Sequence, residues 1–419
     1  MPFTCRGYTI ASMGDLEARR KRVLLRVDLN SPIDPSTGEI LDDSRIKEHA
    51  STIRVLLEMG ASVAVMSHQG RPLSRDFTRL ERHSVLLSKL VGVEVSYVDD
   101  VMGPEARRRI RALRPGDVLL LDNSRLHSED VVEASPEVHA SSIMVKTLAP
   151  LFDYYVNDAF SACHRSQASI VGFPLALPSA AGRLLEREVG ALERATSGPE
   201  RPKVFILGGA KVGDAVKLVS RLHSTGVADE ILTGGLVALA FMAAMGYSMP
   251  RAVERALGEA GANDEVISEA RRIIGKGAPV RVPIDFLVSR DGRVEVEPAR
   301  GLKGAPGDIG PSTLEYYTAK LRKARVAVLR GPMGIIEDER FRRGTVRLLS
   351  ELLERGVYTV IGGGHSNLLL SLLPPRLTKK IGHRSLAGGA MLQYLSGEPM
   401  PCLEALSKSF QKYWKKRAS

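Results

Sequence analysis

Short apolar runs that end in a polar or glycine-rich cluster and lead into an amphipathic helix recur along the 419 residues. Such alternation of strand and helix is the pattern of a parallel sheet. In the first half the strand ends carry arginine, histidine, aspartate and asparagine; in the second they carry glycine. Between the halves, Phe173-Pro174, Pro178, Ser197-Gly198-Pro199 and Pro202 isolate one helical stretch. These three observations predict an α/β protein of two doubly wound, Rossmann-like parallel-sheet domains joined by a helical hinge, each a three-layer α/β/α arrangement. The expected boundaries are 1–177 for an N-terminal domain, 178–199 for the interdomain helix, 200–395 for a C-terminal domain and 396–419 for a helical tail packing back on the protein.

The first strand, Lys21 to Val27, leads into Asp28-Leu29-Asn30-Ser31-Pro32. A helix from about Ser44 to Met59 follows, with Ile46, Ile53, Leu56 and Leu57 on one face and Gly60 as its stop. Ala61 to Met66 ends in Ser67-His68-Gln69-Gly70-Arg71-Pro72, and Asp117 to Leu121 in Asp122-Asn123-Ser124-Arg125. Asp153 to Val156 ends in Asn157-Asp158-Ala159-Phe160, followed by Cys163-His164-Arg165. The connector is expected as a helix over 180–194. In the second half Val204 to Leu207 ends in Gly208-Gly209, Glu230 to Leu232 in Thr233-Gly234-Gly235, Val326 to Leu329 in Arg330-Gly331-Pro332, and Tyr358 to Ile361 in Gly362-Gly363-Gly364-His365-Ser366. Phe286 to Val296 reads as a hairpin around Asp291-Gly292, and Met391 to Leu395 as the last helix before the tail. The tail sets Leu403, Leu406, Phe410 and Trp414 at helical spacing, which favours docking onto its own protein over a membrane surface.

A net charge of +11 implies anionic partners. Aromatic residues make up only 5% and do not interleave with basic ones, which argues against a nucleic-acid stacking surface. Three cysteines without a CxxC pair argue against a disulfide framework or a zinc knuckle. No apolar run of membrane-spanning length and no signal pattern occur, so a cytoplasmic protein without membrane attachment is expected.

In an open parallel sheet, ligands sit outside the carboxyl ends of the strands. One arginine there would be an ordinary solvated group. Arg26, Arg71, Arg125 and Arg165, with His68 and His164, recur at four strand ends and so converge on a small anion. Arg45 stands before a helix and stays outside this pattern. The glycine-rich ends of the second half suit a nucleotide, with Lys211 and Lys217 adding charge near the start of the helix after Gly208-Gly209. That stretch is neither a Walker A loop nor a dinucleotide fingerprint. One anion crevice and one nucleotide crevice together point to phosphoryl transfer, which needs positioning and positive charge more than covalent chemistry. A nucleic-acid-binding module would instead place its basic residues along one helix face. A two-lobed nucleotide-sugar transferase would not need so arginine-dense a crevice.

Several ordered motifs resemble those of the phosphoglycerate kinase family, in what looks like its archaeal branch, from near Arg26 to about Ala390. They are Arg-Val-Asp-Leu-Asn (26–30), Ser-Arg-Ile (44–46), His-Gln-Gly-Arg-Pro (68–72), Asp-Asn-Ser-Arg (122–125), Val-Asn-Asp-Ala-Phe-Ser-Ala-Cys-His-Arg (156–165), Leu-Gly-Gly-Ala-Lys-Val (207–212), Asp-Ile-Gly-Pro-Ser-Thr (308–313), Gly-Pro-Met-Gly (331–334) and Gly-Gly-Gly-His-Ser (362–366). The resemblance implies reversible transfer between 1,3-bisphosphoglycerate with MgADP and 3-phosphoglycerate with MgATP, by hinge closure. It implies a phosphoglycerate site of Arg26, Asp28, Asn30, Arg45, His68, Arg71, Arg125, His164 and Arg165. It brings in Arg45 as a stabiliser of the transferring group, alongside Lys211 and Lys217. For the nucleotide it implies Gly208, Gly209, Lys211, Lys217, Gly234, Gly235, Leu314, Gly331, Pro332, Glu337, Gly362, Gly363, Gly364, His365, Ser366, Gly388 and Gly389. A monomer or homodimer is expected.

The sequence departs from the family pattern in four places. Ala215 stands where a second lysine is common, with Lys217 the candidate substitute. His365 replaces an aspartate that binds magnesium, so Mg2+ is expected to rest on phosphates and water, with Asp214 the candidate protein ligand. Arg330 replaces an asparagine before Gly-Pro, and Gln167 replaces a second histidine.

Overall fold

The computed structural model describes residues 1–363 and 366–415, with the side chains of residues 366 and 367 excepted. The chain forms two compact units, one of Met1–Gly190 with the segment from Pro399 onward, the other of Ala191–Glu398.

In the first unit a hairpin of β1 (Phe3–Cys5) and β2 (Tyr8–Ile10) precedes β3 (Arg22–Arg26), α1 (Ser44–Glu58), β4 (Ser62–Met66), α2 (Glu81–Val91) and β5 (Val95–Val98). Then come α3 (Pro104–Ala112), β6 (Val118–Leu121), α4 (Pro136–Ala140), α5 (Ile143–Leu148), β7 (Tyr154–Asn157), α6 (Phe173–Ala176) and β8 (Ser179–Ala181). Six strands run parallel in the order β5-β6-β4-β3-β7-β8. Helices cover such a sheet on both faces, which is why Val23 to Leu25 and Val63 to Met66 are buried throughout and read as unbroken apolar runs. Helix α1 adds Ile46, Ala50, Ile53 and Leu56 to this core at the spacing that keeps one helix face inward. The chain leaves β3 toward β4 on one side and leaves β7 toward β8 on the other. The winding therefore reverses between β3 and β7, and a crevice opens at their carboxyl ends.

Helix α7 (Arg183–Thr196) begins in the first unit and ends in the second. It starts three residues later than the sequence pattern suggests. Residues 179–181 pair with β7 as a strand, and the Asp158 carboxylate caps α7 by accepting from Leu184 N at 2.7 Å.

The second unit runs through β9 (Lys203–Leu207), α8 (Val212–Ser224), β10 (Glu230–Thr233), α9 (Gly235–Ala244), α10 (Arg251–Glu259), α11 (Asp264–Gly275) and β11 (Val280–Arg281). A three-stranded antiparallel sheet of β12 (Asp285–Arg290), β13 (Arg293–Pro298) and β14 (Pro306–Ile309) follows, its hairpin turning on Asp291 and Gly292 at φ of 49° and 78°. The chain continues with α12 (Pro311–Leu321), β15 (Val326–Arg330), α13 (Arg343–Glu354), β16 (Tyr358–Gly362), α14 (Ser366–Ser371), α15 (Pro375–Thr378), β17 (His383–Ser385) and α16 (Gly388–Leu395). Six strands are again parallel, in the order β11-β10-β9-β15-β16-β17, and here the winding reverses between β9 and β15. The two doubly wound parallel sheets are those the sequence predicts, but four of their short outer strands, β5, β8, β11 and β17, are not among the expected strands.

Helix α17 (Pro401–Tyr413) returns to the first unit. Leu403 and Leu406 are buried, Trp414 stacks on Tyr154 at 6.2 Å, and Ser409 Oγ accepts from Ser179 N and donates to Leu177 O, both at 3.0 Å. No helix among the described residues is long and apolar enough to cross a membrane.

Candidate active site

The reversal point of the first unit gathers the arginines. Arg26, fully buried at the end of β3, donates from Nε to Ser169 Oγ at 2.8 Å, from Nη1 to Val27 O, and from Nη2 to His68 Nδ1 at 3.1 Å. A guanidinium can only donate, so His68 Nδ1 is an acceptor and its proton sits on Nε2, free for a ligand oxygen. Burial holds His68 well below the ordinary histidine range; Asp28 opposes this, while Arg26, Arg125 and Arg165 reinforce it. Arg125 is buried after β6, with Nη1 on Gly70 O and Nη2 buried without a hydrogen-bond partner among the described residues. Its pKa is pushed down to about 10 by burial and by Arg165, Arg26 and Arg71. Burial and Arg71 likewise lower Arg165, burial and Arg165 lower His164, and His164 Nδ1 is another buried nitrogen without a partner among the described residues. Cations that depress one another, with buried nitrogens left unbonded beside them, suit an anionic ligand. Arg71 is exposed on the loop after β4, where Gly70, at φ +65°, lets that loop close; a Cβ there would lie 2.7 Å from Asp76 backbone.

Arg45 joins this crevice although it lies at the start of α1. Its Nη1 meets Asp28 Oδ2 at 2.5 Å. Asp28 is buried, which works against its charge, yet Arg45, His68, Ser161 and Arg26 hold its carboxyl well below the usual range. Asn30 carries the same loop: its N–H donates to Asp28 Oδ1 at 3.2 Å and its Oδ1 accepts from Gly70 N at 2.8 Å. Sequence reasoning missed His49. Buried on α1, it accepts the Asp28 N–H on Nε2 at 3.1 Å and meets Asp158 Oδ2 with Nδ1 at 2.9 Å. The signal was available as a histidine one turn after Arg45, on the apolar face of the same helix. Ser161 and Ser169, hydrogen-bonded to Asp28 and Arg26, carried no comparable signal.

In the second unit the reversal point brings Gly208 and Gly209 against Gly331 and Pro332. Gly208 N donates to Arg330 O at 2.9 Å and Gly209 N to Pro332 O at 2.8 Å, while Gly234 N and Gly235 N reach Leu207 O at 3.0 Å and Met333 O at 2.8 Å. A Cβ on Gly208 would collide with the Pro332 carbonyl. The paired glycines therefore let the strand ends interlock, and their own amides are used in doing so. The donors left at this crevice are others. Gly213 and Asp214, the second and third residues of α8, have no backbone acceptor for their N–H among the described residues, and Lys211 is exposed at the N-cap. Lys217 is exposed farther along α8, and Ala215 is buried. Asp214 Oδ2 lies 3.6 Å from Arg330 Nη2.

The remaining predicted positions are spread around this unit. Gly363 and Gly388 adjoin, a Cβ on Gly388 falling 3.8 Å from Gly363 Cα, and Gly389 follows in the first turn of α16. Gly362 ends β16 beside Arg330. Glu337 is exposed in the loop before α13. Leu314 lies on α12 and lines a cavity of about 560 Å³ with Glu339, Arg342, Arg343 and Val346, whereas Met333 and Gly209 are what close on Gly234 and Gly235. Gly364, His365 and the Ser366 side chain lie outside the described residues.

Comparison with known proteins is consistent across the chain. The model of the family described as phosphoglycerate kinase matches residues 13–398. A phosphoglycerate kinase of Aeropyrum pernix is 55% identical over 98% of this chain and 98% of its own length, and one of Sulfolobus acidocaldarius is 47% identical over 96% of each. The crystal structure of the Pyrococcus horikoshii phosphoglycerate kinase superposes with a TM-score of 0.87 at 38% identity, covering 96% of this chain and all of that one. The structure of the Coxiella burnetii phosphoglycerate kinase gives 0.79 at 30% identity, over 95% of this chain and 98% of that one.

Proposed function

The chain belongs to the phosphoglycerate kinase family, and from that membership we propose how its own residues carry the reaction. It is a phosphotransferase, ATP:3-phospho-D-glycerate 1-phosphotransferase, acting reversibly between 1,3-bisphosphoglycerate with ADP and 3-phosphoglycerate with ATP. The first unit takes the phosphoglycerate and the second the nucleotide. In the ATP-consuming direction a carboxylate oxygen of 3-phosphoglycerate attacks the γ-phosphorus, and the bond to the ADP oxygen breaks. Charge spreads over the transferring oxygens, so fixed positive groups lower the barrier more than any covalent step could.

The observation that carries this reading is the cluster of mutually depressed cations at the β3–β7 reversal, with Arg125 Nη2 and His164 Nδ1 buried and unpartnered among the described residues. Neutral His68 donates from Nε2, and Arg26, Arg71, Arg125 and Arg165 supply charge to the phosphate and carboxylate of the acid. Arg45, held by Asp28, and Lys211 at the α8 N-cap stabilise the transferring group. Closure of the two units over both ligands, through the helix that leads from one to the other, belongs to the same proposal and excludes the water that would otherwise hydrolyse ATP.

Magnesium enters as part of the nucleotide. Of the described residues, Asp214, whose Oδ2 lies 3.6 Å from Arg330 Nη2, is the one that would sit beside an ion held otherwise by phosphates and water. When bound it would supply positive charge that offsets the charge of the phosphates. A cytoplasmic location, and action as a monomer or homodimer, complete the proposal.

A coupled assay with ATP, Mg2+ and 3-phosphoglycerate tests it. Wild type should turn over, and Arg45→Ala and Lys211→Ala should each lose about a hundredfold or more in kcat, the order seen when a single transition-state donor is removed. Lys217→Ala should lose little, because positions 215 and 217 point about 200° apart on an α-helix. Inactive wild type would refute the assignment; Lys217→Ala as damaging as Lys211→Ala would refute the division of roles.

A further inference from the structure

Arg330 is the last residue of β15, the central strand at the reversal point of the second unit. Across the sheet it pairs with Leu207 on one side and Gly362 on the other, so its neighbours are the ends of two glycine-tipped strands. Its side chain is 10% exposed. The rest of β15, Val326 to Leu329, is apolar and buried. A guanidinium so placed should find full compensation, and this one does not. Among the described residues Nε is buried with no hydrogen-bond partner, and Nη2 lies 3.6 Å from Asp214 Oδ2, an ion-pair distance but not a hydrogen bond. Asp214 is itself 43% exposed, so much of its charge is answered by water. Burial pulls the Arg330 guanidinium below its ordinary range, and Asp214 only partly restores it.

Leaving a cation buried and under-bonded destabilises the fold, and an apolar residue would continue the strand as its neighbours do. What the position offers is direction. Asp214 is the third residue of α8, so Arg330 points into the first turn of that helix, where the N–H groups of Gly213 and Asp214 lack backbone acceptors among the described residues. Ala215 brings no charge there, and Lys217 is exposed farther along the helix. We propose that Arg330 is a catalytic residue of the nucleotide side, its guanidinium donating to phosphate oxygens of the bound nucleotide while Asp214 holds it in place until the nucleotide arrives. The proposal rests on the reading of the second unit as the nucleotide site.

Arg330→Met and Arg330→Lys test it, by calorimetric titration with ADP and Mg2+, steady-state kinetics with ATP and 3-phosphoglycerate, and thermal unfolding without ligand. Without nucleotide, Arg330→Met should melt at or above the wild-type temperature, since it removes an under-compensated buried charge. Its ADP affinity and its kcat/KM for ATP should each fall about ten- to a hundredfold, the range for a lost charged hydrogen bond. The KM for 3-phosphoglycerate should change less than about twofold, and Arg330→Lys should recover part of the loss by restoring charge without the fork. Arg330→Met that binds ADP and turns over ATP within about twofold of wild type would overturn the proposal. So would a variant whose melting temperature falls while its folded fraction keeps wild-type kinetics. Wild-type protein that binds no nucleotide would overturn the reading of the second unit, and this role with it.

Discussion

Asp28→Asn isolates the pair that draws Arg45 into the crevice at the β3–β7 reversal, the proposed phosphoglycerate site. The substitution keeps the size of the side chain and an acceptor for Asn30 N, and removes the charge facing Arg45 Nη1 at 2.5 Å. Breaking a fully buried pair by removing one partner costs about 3–5 kcal/mol. Asp28 is 4% exposed but Arg45 is 33% exposed and can rehydrate, so a smaller loss, about 2 kcal/mol, is expected at pH 7. The sign of the pH dependence follows from the depressed carboxyl. Asp28 is ionised when folded at pH values where the unfolded chain, titrating near 4, has begun to take up a proton. Its contribution is therefore complete above about pH 5 and is lost as the pH falls further. Denaturant unfolding of wild type and variant from pH 7 to pH 3 should show a gap that begins to narrow below about pH 5 and is still partly open at pH 3. In the coupled assay, the loss of the Asp28 charge beside Arg45 should lower kcat/KM for 3-phosphoglycerate about ten- to a hundredfold and leave the KM for ATP unchanged. A gap constant with pH, or kinetics within about twofold of wild type, would refute the account of Asp28 as the holder of Arg45.

His49→Asn keeps a donor toward Asp158 but leaves the buried Asp28 N–H without its acceptor. It should lose about 1–3 kcal/mol of stability and raise the KM for 3-phosphoglycerate severalfold without affecting nucleotide binding; unchanged values of both would remove His49 from the network. Asp308 lies in the second unit, where it accepts from Ile309 N at 2.8 Å and Gly344 N at 2.7 Å, yet burial pushes its carboxyl up to about 7. A carboxyl raised in the folded state binds its proton more tightly there than when unfolded, so wild type should lose stability as the pH rises from about 4 to 7, by at most about 4 kcal/mol. Asp308→Asn should lack that slope, and parallel stability curves for the two proteins would show that Asp308 is not raised.

The sequence alone determined the alternation of strand and helix, the two parallel sheets and the hairpin at Asp291-Gly292, because each is set by local periodicity or turn chemistry. It determined the arginines and histidines of the first crevice as well, since in a parallel sheet the residue after a strand is delivered to one edge wherever the strand sits. The tertiary structure decided the rest. The start of α7 was illegible because the Asp158 carboxylate that caps it is far away in sequence. Arg45 and His49 lie on a helix, where no strand-end rule applies, and only packing brings them to Asp28. Gly208, Gly209, Gly234 and Gly235 read from sequence as strand ends that suit a nucleotide. The fold shows that their own amides lock strand ends together, while the first turn of α8 and the Arg330 side chain face the crevice. Sequence spacing fixes where a residue leaves its strand or helix, but which hydrogen bonds remain unmade depends on neighbours that only the folded chain supplies.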